Sequence, residues 1–293
     1  MNIALLRSGR SKPDQEATLT QRLLEAGRTA GHTMIELFEP DMVIAQTGDA
    51  VTIRHQGSPL PKIDLIINRP GYVEEPSLHA VTTDALAAAG YKIINGQKLG
   101  ASKNKLTQHL LLAQAGLPLP RFAIARRPEQ ALQAAKMIGF PVIVKVAFGT
   151  HGKGVFFAAD IETLSPIVDY LTIRDGNPVI IEEFIAEAER KDLRAFVVGD
   201  QVIAAMERSA RADDVRANAS LGGVGAAVTL SEQEKQTAIQ AAQAFDLTIA
   251  GVDMLRSDRG PLVMEVNGNP GSEELERATG IDVAGAIIEY LET

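Results

Sequence analysis

Short apolar runs alternate with stretches of helical spacing through roughly the first ninety residues. The runs predict buried strands, and each helical stretch ends at a glycine. The predicted elements are residues 3–6, 15–30, 33–38, 65–67 and 77–89. Strands that alternate with helices in this way favour a parallel α/β layer. The stretch 51–61 is interrupted by Gly57 and two prolines, and it predicts a small hairpin or excursion outside that layer.

A second unit begins near Asn95. Ser102 is a suitable N-cap for a helix that runs to Ala115, since Gly116 follows as a terminator. A glycine-rich loop then lies between two apolar runs that predict strands. The other predicted elements of this unit are a helix from Pro128 to Gly139, strands at 142–146 and 155–158, and a helix at 161–171.

The last third of the chain carries antiparallel signals. Gly199 and Asp200 predict a two-residue hairpin turn between apolar runs. Ser231, followed three residues later by Glu234, is a capping-box pattern and predicts the start of a helix that runs to Ala244. The other predicted elements are strands at 249–255 and 262–267 and a closing helix at 282–291.

Composition narrows the range of functions. Of 293 residues, 45% are hydrophobic and 23% are charged, which is typical of a folded globular protein. The formal net charge of −8 argues against a general surface for nucleic acid or anionic membrane. The chain has no cysteine, which excludes disulfides, thiolate metal sites and a thiol nucleophile. No apolar stretch approaches the roughly 20 residues that span a bilayer, and the expected location is the cytoplasm.

Two predicted strands near the C-terminus carry acidic side chains. Strand alternation places Glu265 and Asn267 on one face, and a simple hairpin register sets Asp253 opposite Glu265. Like charges that face each other across two strands repel unless a cation lies between them. The oxygen-only set of Asp, Glu and Asn suits Mg²⁺. A solvent-facing edge hairpin is an equal alternative from these residues alone.

A lysine interrupts an apolar strand directly before the glycine-rich loop. Lys145 is either on a solvent-facing edge or directed at an anion, because unpaired burial of its charge would be costly. The loop residues Gly149, Gly152 and Gly154 allow backbone N–H groups to approach phosphates, although a plain flexible loop is an equal alternative. The loop is not a P-loop, since Lys153 is followed by glycine, and it opens no helix as a dinucleotide fingerprint would.

Seven stretches in order along the chain carry a resemblance to a known family. They are SKNKL, PVIVKVAFGTHGKGV, IIEEFI, KDLRAFVVGDQVIAAMER, VRANASLGG, AGVDMLRSDRGPLVMEVNGNPG and TGID. Together they resemble the ATP-grasp superfamily, and most closely its RimK-type α-L-glutamate ligases, over essentially the whole chain. The sequence departs from the family pattern at Phe148, Lys153 and Gly268 and after Arg69, and these loop positions bear on the choice of acceptor.

The resemblance implies an ATP-grasp fold, α/β and α+β, with an N-terminal Rossmann-like layer. The implied division is an N-terminal α/β domain at 1–95, a central ATP-grasp subdomain with the glycine-rich lid at 96–178, and a C-terminal subdomain with the metal-binding hairpin at 179–293. The implied cofactors are ATP and Mg²⁺, or Mn²⁺.

The resemblance also implies roles for single residues. Lys105 and Lys145 would bind the nucleotide phosphates, which Arg216, Ala217 and Asn218 would also approach. Glu183 and Phe184 would hold the adenine at the end of a strand, and Asp192 would lie near the ribose. The implied metal ligands are Asp253, Glu265 and Asn267, and the implied residues on the reaction or acceptor side are Arg194, Arg208 and Arg69.

The activity implied by the resemblance is ATP-dependent ligation of a carboxylate to an amine through an acyl phosphate. The implied product is an amide of L-glutamate with a protein C-terminus, a peptide or a small acceptor, formed by a homo-oligomer, dimer or tetramer. Glutathione-synthetase-like or dipeptide-forming ligases are alternatives within the superfamily. A nucleotide-binding regulatory module without catalysis is an alternative of another class. A dehydrogenase is disfavoured, because no G-x-G-x-x-G follows the first strand.

Overall fold

The computed structural model describes residues 1–9, 18–46, 48, 50–70, 76–147, 154–174, 176–210 and 224–293. Within these ranges the strands form four sheets, with helices packed against them. No helix in the same ranges is both long and apolar enough to cross a membrane.

The N-terminal part contains a parallel sheet. Its elements are β1 (Asn2–Arg7), α1 (Thr18–Thr29), β2 (Thr33–Phe38), β3 (Met42–Gln46), β4 (Val51–His55), β5 (Ser58–Pro59), β6 (Leu65–Asn68), α2 (Pro76–Ala88) and β7 (Ile93–Ile94). Strands β2, β1, β6 and β7 lie side by side in that order, all parallel. The predicted parallel α/β layer is confirmed. The hairpin predicted at 51–61 is also confirmed, with β3 as a third antiparallel strand that the sequence did not reveal.

The central part contains an antiparallel sheet. Its elements are α3 (Lys105–Gln114), β8 (Phe122–Ala125), α4 (Pro128–Ile138), β9 (Val142–Val146), β10 (Val155–Ala158), α5 (Ile161–Asp169) and β11 (Val179–Glu183). The strand order is β10, β9, β11, β8. Strand β11 therefore belongs to the central sheet, although the division predicted at 178/179 assigns it to the C-terminal segment. We propose that the boundary follows Glu183, where this sheet ends.

The predicted N-cap of α3 was wrong. Ser102 lies in a 3₁₀ turn, and its hydroxyl donates to the carbonyl of Leu99 at 2.8 Å. The cap is Asn104, whose side chain accepts from the backbone N–H of Leu106 at 2.9 Å. Both residue types cap helices well, and the short 3₁₀ turn shifts the start of the helix by two residues.

The C-terminal part contains the largest sheet. Its elements are β12 (Lys191–Val198), β13 (Gln201–Ser209), β14 (Val224–Ala227), α6 (Glu232–Gln243), β15 (Ile249–Ser257), β16 (Gly260–Asn267), α7 (Glu273–Thr279) and α8 (Val283–Leu291). The strand order is β14, β13, β12, β15, β16, all antiparallel. The predicted turn between β12 and β13 and the capping box of Ser231 and Glu234 are confirmed.

Hydrophobic cores cover both faces of this C-terminal sheet. One face packs against α6 and α3 around Phe245. On the other face, Phe196 and Val198 of β12 share a single core with Ile3 and Leu5 of β1 and with helices α1 and α8. The central sheet has a separate core of its own. The N-terminal layer and the C-terminal sheet are therefore packed as one body. The central sheet has a core that is separate from that body.

A single asparagine joins the N-terminal layer to the carboxylate hairpin, which is the strand pair β15 and β16 that carries Asp253 and Glu265. Asn95 is buried and follows β7. Its side-chain amide donates to the carbonyls of Ile249 at 2.6 Å and Gly268 at 2.8 Å. Its side-chain oxygen accepts from the N–H groups of Thr248 at 2.9 Å and Ile249 at 3.1 Å. These bonds fix the open end of the hairpin, where β15 begins and β16 has just ended, relative to the parallel sheet.

Candidate active site

The carboxylate hairpin has the predicted register. Asp253 on β15 lies directly opposite Glu265 on β16, and Gly251 lies opposite Asn267. The register then shifts by one residue, so that Met254 pairs with Val263 and the strand is bulged next to the carboxylates. Asp253 is buried, whereas the side chain of Glu265 is 40% exposed. The two carboxylates therefore line the boundary between the sheet and solvent.

Two arginines contact the buried carboxylates from the neighbouring strands. Arg194 on β12 faces Asp253, with Nε 2.6 Å from Oδ1. Arg208 on β13 donates from Nε to Oδ1 of Asp192 at 2.6 Å and places Nη2 3.0 Å from Oδ2 of Asp253. The contacts to Asp253 are close but poorly aligned, since neither Asp253 Oδ1 nor Arg208 Nη2 makes a hydrogen bond.

Burial and charge shift the titration of this cluster. Burial raises the pKa of Asp192 to about 6; Arg208 opposes that rise, and the charge of Asp253 adds to it. Burial alone would lower the pKa of Arg208, but Asp253 and Asp192 raise it. Arg208 therefore stays charged and holds two carboxylates that would otherwise repel each other.

The carboxylate hairpin fits a divalent cation in its donor chemistry. Asp253 Oδ1 is buried in an ion pair with Arg194 and makes no aligned hydrogen bond, and a carboxylate oxygen of this kind is a hard ligand. Glu265 and Asn267 add oxygens from the facing strand, and Asn267 Oδ1 is held by the N–H of Asn269 at 2.9 Å. The set has two carboxylates and one amide. Among the described residues no group of three or more acidic or histidine side chains is arranged to hold a metal.

Of the two lysines proposed for the phosphates, Lys105 contacts the hairpin and Lys145 lies on the central sheet. Lys105 begins α3, and its Nζ lies 3.6 Å from Oε2 of Glu265. Its backbone N–H donates to the carbonyl of Ala147, at the end of β9, at 3.0 Å. Lys145 is buried within β9 and donates to Oε1 of Glu182 at 2.6 Å. Lys105 therefore links the carboxylate hairpin to the strand that carries Lys145.

At the end of β11, the carboxylate proposed to lie near the adenine is bound to arginines. Glu183 accepts from Arg121 Nη2 at 2.8 Å and from Arg259 Nη2 at 2.6 Å. Partial burial works to raise the pKa of Glu183, but its hydrogen bonds with Arg121 and Arg259 lower it to about 2. The ring of Phe184 packs edge-to-face on Phe157, with centroids 5.2 Å apart. The apolar wall that these two rings form is the part of this region suited to a base.

Arg69 lies at the loop that follows β16. It is buried, and its Nη1 donates to the carbonyl of Pro270 at 3.1 Å, while its Nε makes no hydrogen bond. Burial lowers the pKa of Arg69 to about 10, and Glu273 opposes that shift. The pKa of Lys103 is lowered by burial and by the charge of Arg69. Two cations therefore lie near each other beside the carboxylate hairpin, where an acidic ligand would stabilise both.

Several predicted site residues lie outside the described residues. They are Gly149, Gly152, Arg216, Ala217 and Asn218. Gly154 is described, with a φ of +79°, and its carbonyl accepts from the N–H of Val146 at 3.1 Å. A Cβ at this position would lie 2.4 Å from Val146 Cγ2, so only glycine closes the loop here.

Sequence reasoning missed two buried side chains next to Lys145. Glu182 accepts from Lys145, and His109 on α3 contacts the other oxygen of Glu182 at 2.7 Å. The acidic end of the apolar strand β11 was a signal for Glu182. His109 lies in an apolar helix without a local pattern that marks it, because its partners come from distant parts of the chain. Gln108 was also missed, and its side-chain oxygen accepts from the N–H of Val266 at 2.8 Å.

Known proteins are similar to this chain in sequence. A family model described as a RimK-like ATP-grasp domain matches residues 102–291. A probable alpha-L-glutamate ligase of Xanthomonas euvesicatoria pv. vesicatoria is 38% identical over 274 residues, which are 93% of this chain and 92% of that protein. The ribosomal protein bS6–L-glutamate ligase of Salmonella paratyphi B is 37% identical over 281 residues, which cover 93% of this chain and 91% of that protein.

A solved structure has the same fold at low sequence identity. It is the ATP-grasp ligase PsnB complexed with a phosphomimetic variant of a minimal precursor, Mg and ADP. The TM-score is 0.74 at 21% identity, and the match covers 99% of this chain and 97% of that one. The predicted ATP-grasp fold is confirmed, and ATP and Mg²⁺ are the general cofactors of such proteins. The chain belongs to the RimK-like ATP-grasp family and is an ATP-dependent, amide-forming ligase.

Proposed function

We propose that this ligase adds L-glutamate, through its amine, to a carboxylate of a protein or peptide. The observation that carries the proposal is the opposed pair Asp253 and Glu265, with Lys105 beside Glu265. This arrangement suits the transfer of a phosphoryl group to a carboxylate. The names of both relatives include L-glutamate ligase, and one of them acts on a ribosomal protein. The proposed setting is the cytoplasm, and the proposed assembly is a homo-oligomer.

The first step joins the acceptor carboxylate to the γ-phosphate of ATP. An oxygen of the carboxylate attacks in line, ADP leaves, and an acyl phosphate results. We assign Asp253, Glu265 and Asn267 as ligands of Mg²⁺, which when bound neutralises charge on the phosphate oxygens. Lys105, beside Glu265, and Lys145 supply fixed positive charge to the phosphates.

The second step replaces phosphate by an amine. The amine nitrogen attacks the acyl carbon and forms the C–N bond of a tetrahedral oxyanion. The nitrogen then loses a proton, and the oxyanion collapses as the C–O bond to the leaving phosphate breaks. Arg194, whose side chain is 16% exposed, is the better candidate to stabilise that oxyanion. Arg208 is 4% exposed and engaged with Asp192 and Asp253, so we assign it to holding those carboxylates in place.

The preference for glutamate rests on the cations beside the hairpin. Arg69 is buried with a free Nε, and it lies near Lys103 in a protein whose net charge is −8. Such a local positive site would stabilise the second carboxylate of an acidic amino acid or of an acidic acceptor. The glycine-rich loop is assigned as a lid that keeps water from the acyl phosphate.

The test is a product assay. The purified protein is incubated with ATP, Mg²⁺ and each amino acid in turn, with acidic peptides and purified ribosomal proteins as acceptors. ADP release and product mass are followed together. ADP formation with the mass increment of glutamate on an acceptor supports the proposal. ADP formation with another amino acid would reject glutamate while keeping the ligase, and a dipeptide product would indicate the dipeptide-forming alternative.

A further inference from the structure

A buried chain of three charged groups connects the two lysines proposed for the phosphates. Lys145 Nζ donates to Glu182 Oε1 at 2.6 Å, and Glu182 Oε2 lies 2.7 Å from His109 Nε2. His109 Nδ1 lies 2.8 Å from the backbone carbonyl oxygen of Lys105. Each of the three side chains is at most 9% exposed. The chain therefore runs from one proposed phosphate lysine to the backbone of the other, shielded from water.

The hydrogen-bond partners of His109 indicate which of its ring nitrogens carry a proton. Nδ1 faces a carbonyl oxygen, which only accepts hydrogen bonds, so this nitrogen carries a proton. Nε2 faces a carboxylate oxygen of Glu182, whose pKa is lowered to about 2 by Lys145 and His109 although burial opposes that shift. An ionised carboxylate also only accepts. Both contacts are hydrogen bonds only if the imidazole ring is doubly protonated and positively charged.

The charges of Lys145, Glu182 and His109 do not cancel. Lys145 and His109 contribute two positive charges, and Glu182 contributes one negative charge. The total is the same if the shared proton moves from His109 Nε2 to Glu182 Oε2. The imidazole ring of His109 also packs edge-to-face against the apolar ring of Phe122, with the ring centroids 4.9 Å apart. With a neutral residue at position 109, Glu182 would instead neutralise Lys145 completely.

We propose that His109 is a positioning residue for the anionic phosphates of the nucleotide. Its charge is matched to Glu182, so that the charge of Lys145 remains available to a phosphate. The hydrogen bond of His109 to the backbone carbonyl of Lys105 also holds the first turn of α3, which begins at that second lysine. The inference rests on the phosphate roles given to Lys105 and Lys145 in the proposed function.

Replacement of His109 and Glu182, singly and together, tests this role of charge. In His109→Leu, Glu182 pairs with Lys145 alone, and we expect binding of ATP with Mg²⁺ to weaken about tenfold, the scale of one charge-assisted hydrogen bond. In His109→Leu/Glu182→Gln the positive charge of Lys145 is restored, and we expect the affinity to return to within about threefold of wild type. Calorimetric titration of each folded variant gives these values.

The double variant separates a role of charge from a role in packing. If His109 only filled space, Glu182→Gln would add a second loss, and the double variant would bind ATP as weakly as His109→Leu or more weakly. That result would overturn the inference. If His109→Leu does not fold, His109→Gln and His109→Gln/Glu182→Gln provide the same comparison. In the ligase assay, the KM for ATP should rise in the single variant while the KM for the amino acid stays unchanged.

Two further variants show which proposal an adverse result affects. His32→Leu is the matched control, because His32 also contacts a carboxylate, that of Glu292 directly after α8, at 3.1 Å. It should bind ATP as wild type does. Lys145→Ala tests the proposed function, and unchanged ATP affinity in that variant would reject the phosphate role of Lys145. Loss of affinity in Lys145→Ala together with wild-type affinity in His109→Leu would reject only the role of His109.

Discussion

At the scale of single residues, the site depends on carboxylates whose charge has to be balanced. Glu265 is the more exposed member of the opposed pair. Among the described residues its ion pair is with Lys105, at 3.6 Å. Asp253 on β15 is held by two arginines, Arg194 on β12 and Arg208 on β13. The buried carboxylate is therefore held in place by the protein, whereas the exposed one is less constrained. Loss of the charge of Glu265 is therefore expected to reduce activity with little effect on stability.

Glu265→Gln should reduce ADP formation roughly 100-fold or more, because a proposed metal ligand loses its charge while its shape is kept. Its free energy of unfolding should change by less than about 0.5 kcal/mol, as for other partly exposed substitutions. Glu129→Gln, at an exposed position in the first turn of α4, is the control for loss of one acidic charge. Near-normal turnover in folded Glu265→Gln protein would reject the metal assignment.

The buried carboxylate of Glu182 should make stability depend on pH. Its pKa is about 2 in the folded protein against an ordinary value of 4.5. A lowered pKa stabilises the fold above pH 4.5, and that contribution is lost as the pH falls towards 2. The full difference corresponds to about 3 kcal/mol. Urea unfolding at several pH values should show the gap between wild type and Glu182→Gln narrowing below pH 4.5; a constant gap would contradict this account.

At the scale of elements, the sequence predicted what local periodicity determines. The strand alternation and the short turn were sufficient to place Asp253 opposite Glu265, and the structure has that register. The start of α3 was misplaced, because Ser102 and Asn104 are both good caps and the sequence does not reveal the intervening 3₁₀ turn. The contact of His109 with Glu182 joins residues 73 positions apart, so no local pattern indicates it.

Asn95 connects three elements through its side chain, and its replacement should lower the free energy of unfolding. Asn95→Ala removes four hydrogen bonds that connect the end of β7 to β15 and to the loop after β16. We expect a loss of about 3 kcal/mol in the free energy of unfolding, since the freed backbone groups are buried. Gln56→Ala is the matched control, because Gln56 has a similar positive φ, 52° against 55°, at an exposed turn. Equal losses in the two variants would attribute the effect to backbone strain alone.

At the scale of the whole molecule, the cores divide the protein differently from the chain order. The N-terminal layer and the C-terminal sheet share one core, although the central part lies between them in sequence. The central sheet, which carries Lys145, has its own core. The proposed phosphate site therefore lies where two packed bodies meet, with Lys105 bound to Ala147 on one side and close to Glu265 on the other.

This division predicts how the protein unfolds. The chain has no tryptophan, so a single introduced tryptophan is a unique fluorescent probe. Tyr91→Trp reports on the N-terminal layer, Tyr290→Trp on α8 and Tyr170→Trp on the end of the central helix α5. The first two should give coincident urea transitions, because Tyr91 packs on one face of the parallel sheet and the other face of that sheet shares a core with α8.

The central probe is expected to behave differently when nucleotide is bound. Without ATP, Tyr170→Trp should report a transition at or below the urea concentration of the other two, since a small separate core is the first to open. Saturating ATP with Mg²⁺ should raise that midpoint and bring it to the common one, because a ligand held by both Lys145 and the carboxylate hairpin binds only while both bodies are folded. Separate transitions for Tyr91→Trp and Tyr290→Trp would show that the shared core does not couple the two ends of the chain.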